Sequence, residues 1–289
     1  MNILDEVYEM NNGVKIPKIG LGTWLITGDA ARKATIEAIN AGYKHIDTAE
    51  AYGNEYEVGI GIKESGIKRE EIFVTTKLAA EIKNYNDAKK AINESLEKLG
   101  LDYIDLMIIH SPQPWAEYNQ SENRYYEGNI EAYKALEEAY KDGKLKAIGV
   151  SNFEINDLKN ILENCEIKPQ VNQVLCHISN TPLELIEYCK KENILIEAYS
   201  PIAHGEALKN EKIKMMADKY NVSIPQLCVR YTIQLGTVSL PKTTHKEFMI
   251  ENSKVNFVIS DEDMEILKNF EKLEEYGDAS VFPVYGGKL

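Results

Sequence analysis

Eight short β-branched or apolar runs, separated by segments of helical spacing, constrain the fold of this chain more than any other feature: VKIPKIGLGTW, KHIDTA, IFVTTKL, DYIDLMIIH, KAIGVSN, PQVNQVLCH, ILIEAYSP and VSLPKTT. Strands that are apolar on both faces and alternate with helices read as parallel and buried. Eight such units reach the number that closes a barrel. The expectation is therefore an α/β chain folded as a (β/α)8 TIM barrel, a single domain over residues 1–289, since no Pro-rich linker or low-complexity block divides it. With 289 residues, 44% of them hydrophobic, the chain has enough apolar material for one large core.

The helical segments carry their own punctuation. Asn86 is placed to cap a helix in which Ala88, Ile92, Leu96 and Leu99 share one face before Gly100 ends it. Ala132, Leu136 and Ala139 repeat the pattern ahead of Gly143, and Leu183, Ile186 and Tyr188 mark a third helix after Pro182. The acid-rich stretch EYEVGIGIKESGIKREE is expected to present a solvated face. Two places break the repeat. Residues 111–128 form a long polar and aromatic connection after the fourth strand, a candidate lid by its length. The tail from Tyr276 to Leu289 lacks periodicity but carries Phe282 and Tyr285, and is expected to fold over the pocket.

In a strand-helix barrel, side chains at the carboxyl ends of successive strands converge on one pocket. Tyr52 follows HIDTAEAY, Lys77 ends IFVTTK, His110 ends YIDLMIIH, and Asp47 lies just ahead of Tyr52. A phenol, an ammonium, an imidazole and a carboxylate gathered there make a proton-donating site. The ammonium favours the phenolate and so lowers the phenol's pKa from about 10. Asp47 holds the ammonium charged, and His110 orients a carbonyl oxygen. A positioned proton donor contributes only about 10²- to 10⁴-fold, so a hydride source or stronger electrophile must accompany it.

Composition excludes several other roles. A net charge of -13 disfavours nucleic acid or an anionic membrane as partner. No apolar run approaches the roughly 20 residues that span a bilayer, and MNILDEVYEM is acidic, so a soluble, cytoplasmic protein is expected. Cys165, Cys176, Cys189 and Cys228 form no CxxC pair and read as buried free thiols, not as a disulfide framework or zinc site. His45, His177, His204 and His245 lack metal-ligand spacing and read as satisfied polar or surface residues; no metal is expected.

DTAEAYGNEYEVG, VTTK, IIHSP, GVSNF, QVNQ, EAYSP and LPKTT, in this order over nearly the whole chain, together resemble the aldo-keto reductase family. The resemblance implies a (β/α)8 barrel that binds a nicotinamide dinucleotide without a Rossmann fold and reduces aldehydes or ketones. Neither GLG at Gly20 nor GIG at Gly59 completes GxGxxG. It further implies Tyr52 as general acid, Lys77 and Asp47 as its tuning pair, and His110 as the carbonyl-orienting group. Ser151, Asn152 and Gln173 match positions that hydrogen-bond the nicotinamide carboxamide, and Tyr199 matches the ring that stacks on it. Gly22, Thr23 and Asp47 fall on the cofactor side, Ser200, Pro201 and Ile202 along the pyrophosphate path. Lys242, Thr243 and Thr244 match the phosphate segment, and Glu251 and Asn252 the adenine end. Trp24 and Trp115, with Tyr52 and His110, are the expected substrate contacts.

Two departures stand out. Members that prefer NADP commonly carry an arginine where this chain has Phe248, six positions after Lys242, so the fork that grips the 2'-phosphate is missing. Lys242 remains, with Lys246 and His245 as compensating candidates; NADPH is expected, with NADH possible. Many members have tryptophan where Ser111 follows His110, and Trp115 is the candidate replacement. The expected partner is a small-molecule carbonyl substrate, and the expected state a monomer. Two other readings stay open: Lys77 as the Schiff-base amine of an aldolase-like enzyme with Tyr52 as acid, and a non-catalytic nicotinamide-cofactor-binding regulator.

Overall fold

The computed structural model describes residues 2–288. An antiparallel hairpin of β1 (Val7–Glu9) and β2 (Lys15–Pro17) precedes a parallel sheet of eight strands. These are β3 (Leu21–Gly22), β4 (His45–Asp47), β5 (Phe73–Leu78), β6 (Leu106–Ile109), β7 (Ile148–Ser151), β8 (Val171–Leu175), β9 (Leu195–Tyr199) and β10 (Val238–Leu240), each paired with its successor in sequence. A parallel bridge between Ile19 and Ser239, with the Gly20 amide donating to the Ser239 carbonyl at 3.0 Å, closes the ring. The expected (β/α)8 barrel is present. The run VKIPKIGLGTW is two elements, however, not one: Lys15–Pro17 turns back on the hairpin, and only Leu21–Gly22 enters the barrel.

Every residue of β4 through β7 is buried, as strands must be when side chains fill the barrel inside and helices cover it outside. The hairpin stoppers the amino end, where Met10 and Ile16 pack with Phe73, Leu106, Ala147, Val171 and Val238 at the strand starts. With that end plugged, only the carboxyl end is open for a site. Gly20 is required for closure, because a Cβ there would lie 2.7 Å from His45 Nδ1.

Around the sheet run α1 (Asp29–Asn40), α2 (Glu55–Ser65), α3 (Tyr85–Leu99), α4 (Tyr126–Lys141), α5 (Ile155–Asn164), α6 (Leu183–Lys191), α7 (Glu211–Lys219), α8 (Ile224–Gln234), α9 (Lys246–Asn252) and α10 (Asp261–Lys268). Of the residues expected on one face of α3, Ala88, Ile92 and Leu99 are buried and Leu96 is half-buried against the same core, and Gly100 ends the helix at φ 64°. Its cap is Asn84, not Asn86. Asn84 keeps extended backbone and its side chain accepts from the Asp87 amide at 2.9 Å, while Asn86 already lies in the first turn. α2 is less solvated than its acidity implies: Glu55 is buried and accepts from Thr76 Oγ1 at 2.6 Å, and a Cβ on Gly59 would lie 2.2 Å from the Leu99 carbonyl oxygen. Close approach to α3 demands Gly59, and close approach to α1 demands Gly61, whose Cβ would lie 2.8 Å from the Arg32 carbonyl oxygen.

The connection after β6 carries one 3-10 turn, Trp115–Glu117, and is otherwise irregular as far as Tyr125, with α4 beginning at Tyr126. Buried Gln113 braces it from within: its Nε2 donates to the carbonyls of Ser121 and Asn123 at 2.9 and 2.7 Å, and its Oε1 accepts from the Asn119 amide at 3.0 Å. Arg124 ties it to Asp157 at the start of α5. The tail folds back through two 3-10 turns, Gly277–Val281 and Pro283–Tyr285, over the carboxyl end of the barrel. All four cysteines are free, Cys165 half-buried and the others buried. No helix among the described residues is long and apolar enough to cross a membrane.

Candidate active site

Asp47 ends β4, Tyr52 closes the 3-10 turn after it, Lys77 lies near the end of β5 and His110 follows β6. Adjacent parallel strands bring the four together. Lys77 Nζ donates to Asp47 Oδ1 at 2.6 Å, to the Thr48 carbonyl at 2.8 Å and to the Tyr52 hydroxyl at 3.3 Å. The Tyr52 and His110 rings meet edge to face, with centroids 5.6 Å apart. Lys77 is fully buried beneath Tyr52, and Tyr52 and His110 form the cleft wall above it.

The electrostatics differ from the sequence expectation in one respect. Burial pushes the Tyr52 phenol above its ordinary value by more than the Lys77 charge pulls it down, so the group is a neutral donor, not a phenolate. Burial alone would push Lys77 down, but Asp47 and Tyr52 together outweigh it, and the side chain stays an ammonium. Burial, reinforced by Lys77, holds His110 well below the usual imidazole range, so it is neutral. A neutral phenol backed by a fixed cation can donate a proton to an oxygen that develops negative charge, and a neutral imidazole can donate a second hydrogen bond.

Behind the quartet Gln173, expected only as a cofactor contact, forms an inner layer with Glu197, which sequence reasoning missed. Gln173 Nε2 donates to Asp47 Oδ2 at 2.8 Å and to Glu197 Oε2 at 2.9 Å. Both amide hydrogens are thus engaged, and among the described residues Gln173 Oε1 makes no hydrogen bond although the residue lines the cleft. Glu197 is fully buried opposite Gln173 in the β8/β9 register.

The cleft has a volume of about 730 Å³ and runs across the barrel mouth from Trp115 to Glu251 and Asn252 in α9. Most residues expected to hold a cofactor line it: Gly22, Asp47, Ser151, Asn152, Gln173, Tyr199, Ser200, Pro201, Ile202, Lys242, Thr243, Glu251 and Asn252. Thr23 does not. It is buried, its hydroxyl donating to the Asp47 carbonyl at 2.9 Å, so it fixes the β4 end instead of facing the cleft. Thr244 also lies outside the wall, on the exposed turn before α9. Asn152 sits at φ 61° and Ser200 at φ 51°, a left-handed backbone uncommon outside glycine and frequent at functional sites. Asn152 Nδ2 donates to the Ser151 hydroxyl at 3.0 Å and to the His110 carbonyl at 3.0 Å, and the Tyr199 hydroxyl donates to Asn152 Oδ1 at 2.7 Å.

At the Tyr52 end the walls are aromatic. Trp115 stands edge-on to His110 at 5.1 Å, and Trp24 packs against Phe282 of the tail at 4.8 Å. Ser111 is buried away from the cleft, its carbonyl accepting from Lys83 Nζ at 2.8 Å. His204, read from sequence as an ordinary polar residue, lines the cleft, and its Nε2 lies 2.6 Å from the Tyr285 hydroxyl. The tail is thereby fastened to the segment after β9.

A family model described as the aldo/keto reductase family matches residues 18–272. The glyoxal reductase of Bacillus subtilis (strain 168) is 42% identical over 276 residues, covering 95% of this chain and 96% of that protein. An aldehyde reductase of Saccharomyces cerevisiae is 38% identical over 290 residues, covering 92% and 90%. The crystal structure of a Bombyx mori aldo-keto reductase in complex with NADP superposes with a TM-score of 0.84 at 32% identity, covering 97% of this chain and 98% of that one. A barrel of eight parallel strands, the ordered strand-end motifs and similarity across almost its entire length establish that the chain belongs to the aldo/keto reductase family.

Proposed function

We propose that this oxidoreductase reduces small aldehydes, ketones and α-dicarbonyls to alcohols at the expense of NADPH, with Tyr52 as general acid. The carrying observation is that one buried ammonium, Lys77, contacts both Asp47 and Tyr52 beside a neutral His110 at the open end of the barrel. The relatives named for glyoxal and aldehyde reduction support the same substrate class. A dihydronicotinamide, when bound, would supply the hydride. Ser151, Asn152 and Gln173 Oε1 offer polar groups for its carboxamide, and the Tyr199 ring a flat wall for the heterocycle, worth about 0.5–1.5 kcal/mol beyond area. Tyr52 and His110 hold the substrate oxygen, and Tyr52 delivers the proton that completes the alcohol.

Lys242 provides a cation for the cofactor phosphates. In place of the expected arginine, Phe248 is exposed and stacks edge-on to His245 at 5.4 Å, and His245 itself lies 3.5 Å from Glu247. NADPH preference is therefore weaker than a guanidinium fork would give. The Schiff-base reading lacks support, because a Lys77 held as an ammonium is a poor nucleophile. A non-catalytic binder gains nothing from an intact proton-donating quartet. The test is a steady-state survey following absorbance loss of NADPH and of NADH with glyoxals, aromatic aldehydes and sugar ketoacids. Turnover of glyoxals or aldehydes carries the proposal. Tight cofactor binding without turnover of any of them, or borohydride trapping of a carbonyl on Lys77 without cofactor consumption, overturns it.

A further inference from the structure

We propose that Glu197 is a positioning residue for the reduction: through the Gln173 amide it holds Asp47, and hence the Lys77 ammonium, in register with Tyr52, and it turns the Gln173 carbonyl oxygen toward the cleft. The proposal rests on the reading of Tyr52 as proton donor given above. Among the described residues Glu197 does not line the cleft and makes no hydrogen bond to a member of the quartet. It acts through Gln173, whose two amide hydrogens go to Glu197 Oε2 at 2.9 Å and Asp47 Oδ2 at 2.8 Å. An amide held between two carboxyl groups cannot flip, because the flip would set its oxygen against theirs.

The charge state suits that role. The ionisable groups facing Glu197 are Asp47 and His45 from β4 and Lys77 from β5, with neutral Gln173 from β8. Lys77 and Asp47 already neutralise one another, and a second anion in the same dry interior has no cation left to pair with. Burial and the Asp47 charge push Glu197 up to about 8, so it is a neutral acid near pH 7. His45 supplies no compensating charge, since burial followed by Lys77 lowers it to about 3. Glu197 Oε2 accepts from Gln173, which leaves Oε1, 3.8 Å from His45 Nε2 and without a hydrogen-bond partner among the described residues, as the oxygen free to carry the proton. At alkaline pH, loss of that proton places a negative charge behind Asp47 and favours the protonated form of Tyr52.

Two variants of the full-length chain separate positioning from packing. Glu197→Leu removes the acceptor and frees the Gln173 amide, whereas Glu197→Gln keeps an acceptor oxygen and removes the titration. With methylglyoxal and NADPH at pH 7, Glu197→Leu should lower kcat and raise the NADPH Kd, each by about tenfold, the worth of one buried hydrogen bond. Glu197→Gln should stay within about threefold of the parent on both. Parent-like values in Glu197→Leu, or equal loss in both variants, overturn the proposal. If Glu197→Leu does not fold, the alkaline limb of kcat/KM decides: in Glu197→Gln it should move to lower pH, and a superimposable profile overturns the proposal. Tyr52→Phe run alongside keeps the two readings apart. Full activity in Tyr52→Phe rejects the mechanism itself, whereas a crippled Tyr52→Phe with parent-like Glu197 variants rejects only the role of Glu197.

Discussion

Lys77 Nζ donates to the Tyr52 hydroxyl at 3.3 Å from beneath, so the phenol is the only part of that pair exposed to the cleft. In the proposed mechanism this contact serves proton delivery, not cofactor binding. Tyr52→Phe keeps the ring and its edge-to-face contact with His110 while deleting the donor. It should lower kcat at least about tenfold and leave the NADPH Kd nearly unchanged, because an interaction made in the transition state has been removed. Stopped-flow turnover and fluorescence titration measure the two quantities. Unaltered kcat would remove Tyr52 as the acid.

Asp47 and Lys77 are both buried and 2.6 Å apart, so neither can be removed singly without stranding the other charge. Lys77→Met should destabilise the chain by about 3–5 kcal/mol, and the double variant Asp47→Asn with Lys77→Met should recover a large part of that loss. Activity should be lost in both. Urea denaturation of the four members of the cycle supplies the coupling energy, and additive losses would mean that the pair does not interact.

Acid should undo the fold through its buried imidazoles. Burial holds His45 and His177 down at about 3 and His110 well below its ordinary value, with Lys77 reinforcing His45 and His110 and with His204 reinforcing His177. The unfolded chain takes up these protons from about pH 6.5 downward and the folded chain does not. Their contribution is therefore complete above pH 6.5 and is lost as pH falls toward 3, at about 1.4 kcal/mol per pH unit for each group. Glu197 has the opposite sign. Raised to about 8, it contributes most below its unfolded value near 4.5 and loses that contribution as pH rises to 8. Denaturation midpoints taken between pH 4 and 7 should rise with pH, and His177→Asn should flatten the slope by close to one proton. A flat profile would contradict the buried neutral imidazoles.

The quartet was legible because barrel geometry turns sequence order into spatial order: Asp47, Tyr52, Lys77 and His110 follow consecutive strands, and neighbouring parallel strands set their ends side by side. The motifs carried most of the cleft wall for the same reason. Elements that depend on side-chain direction were not legible. Asn84 and Asn86 are both plausible caps, and only the extended backbone at Asn84 decides between them. Thr23 sits within a motif that lines the cleft yet points into the barrel wall, toward the Asp47 carbonyl. Glu197 reads as one polar residue in an apolar strand, and its meaning appears only when the β8/β9 register sets it across from Gln173. His204 becomes part of the site only because the tail returns to it, a contact across the sequence from 204 to 285.

Cofactor choice should turn on α9. Phe248, exposed on the cleft wall, occupies the position where the family resemblance leads one to expect an arginine, and the adjacent Glu247 adds negative charge. The parent enzyme should therefore favour NADPH over NADH in kcat/KM by less than about a thousandfold, and Phe248→Arg should raise that ratio by roughly tenfold or more, the worth of a charge-assisted hydrogen bond. A larger parent preference would show that Lys242 and Lys246 suffice without the fork.

The tail walls the cleft with Phe282, Pro283, Val284 and Tyr285. Phe282 packs on Trp24 at 4.8 Å, and the Tyr285 hydroxyl lies 2.6 Å from His204 Nε2 and 2.8 Å from Ser200 Oγ, so one short segment both walls the pocket and pins the loop after β9. Truncation after Leu273 removes the wall and the pin together, whereas Phe282→Ala removes only the wall. Both should raise KM for phenylglyoxal by about tenfold, since a buried aromatic contact of this size is worth roughly 1–3 kcal/mol. Methylglyoxal, which has no ring to bury, should lose much less. Truncation alone should also weaken NADPH binding, because it alone frees Ser200 and His204 from Tyr285. If both variants treat the two glyoxals alike, the tail covers the cleft without contacting substrate.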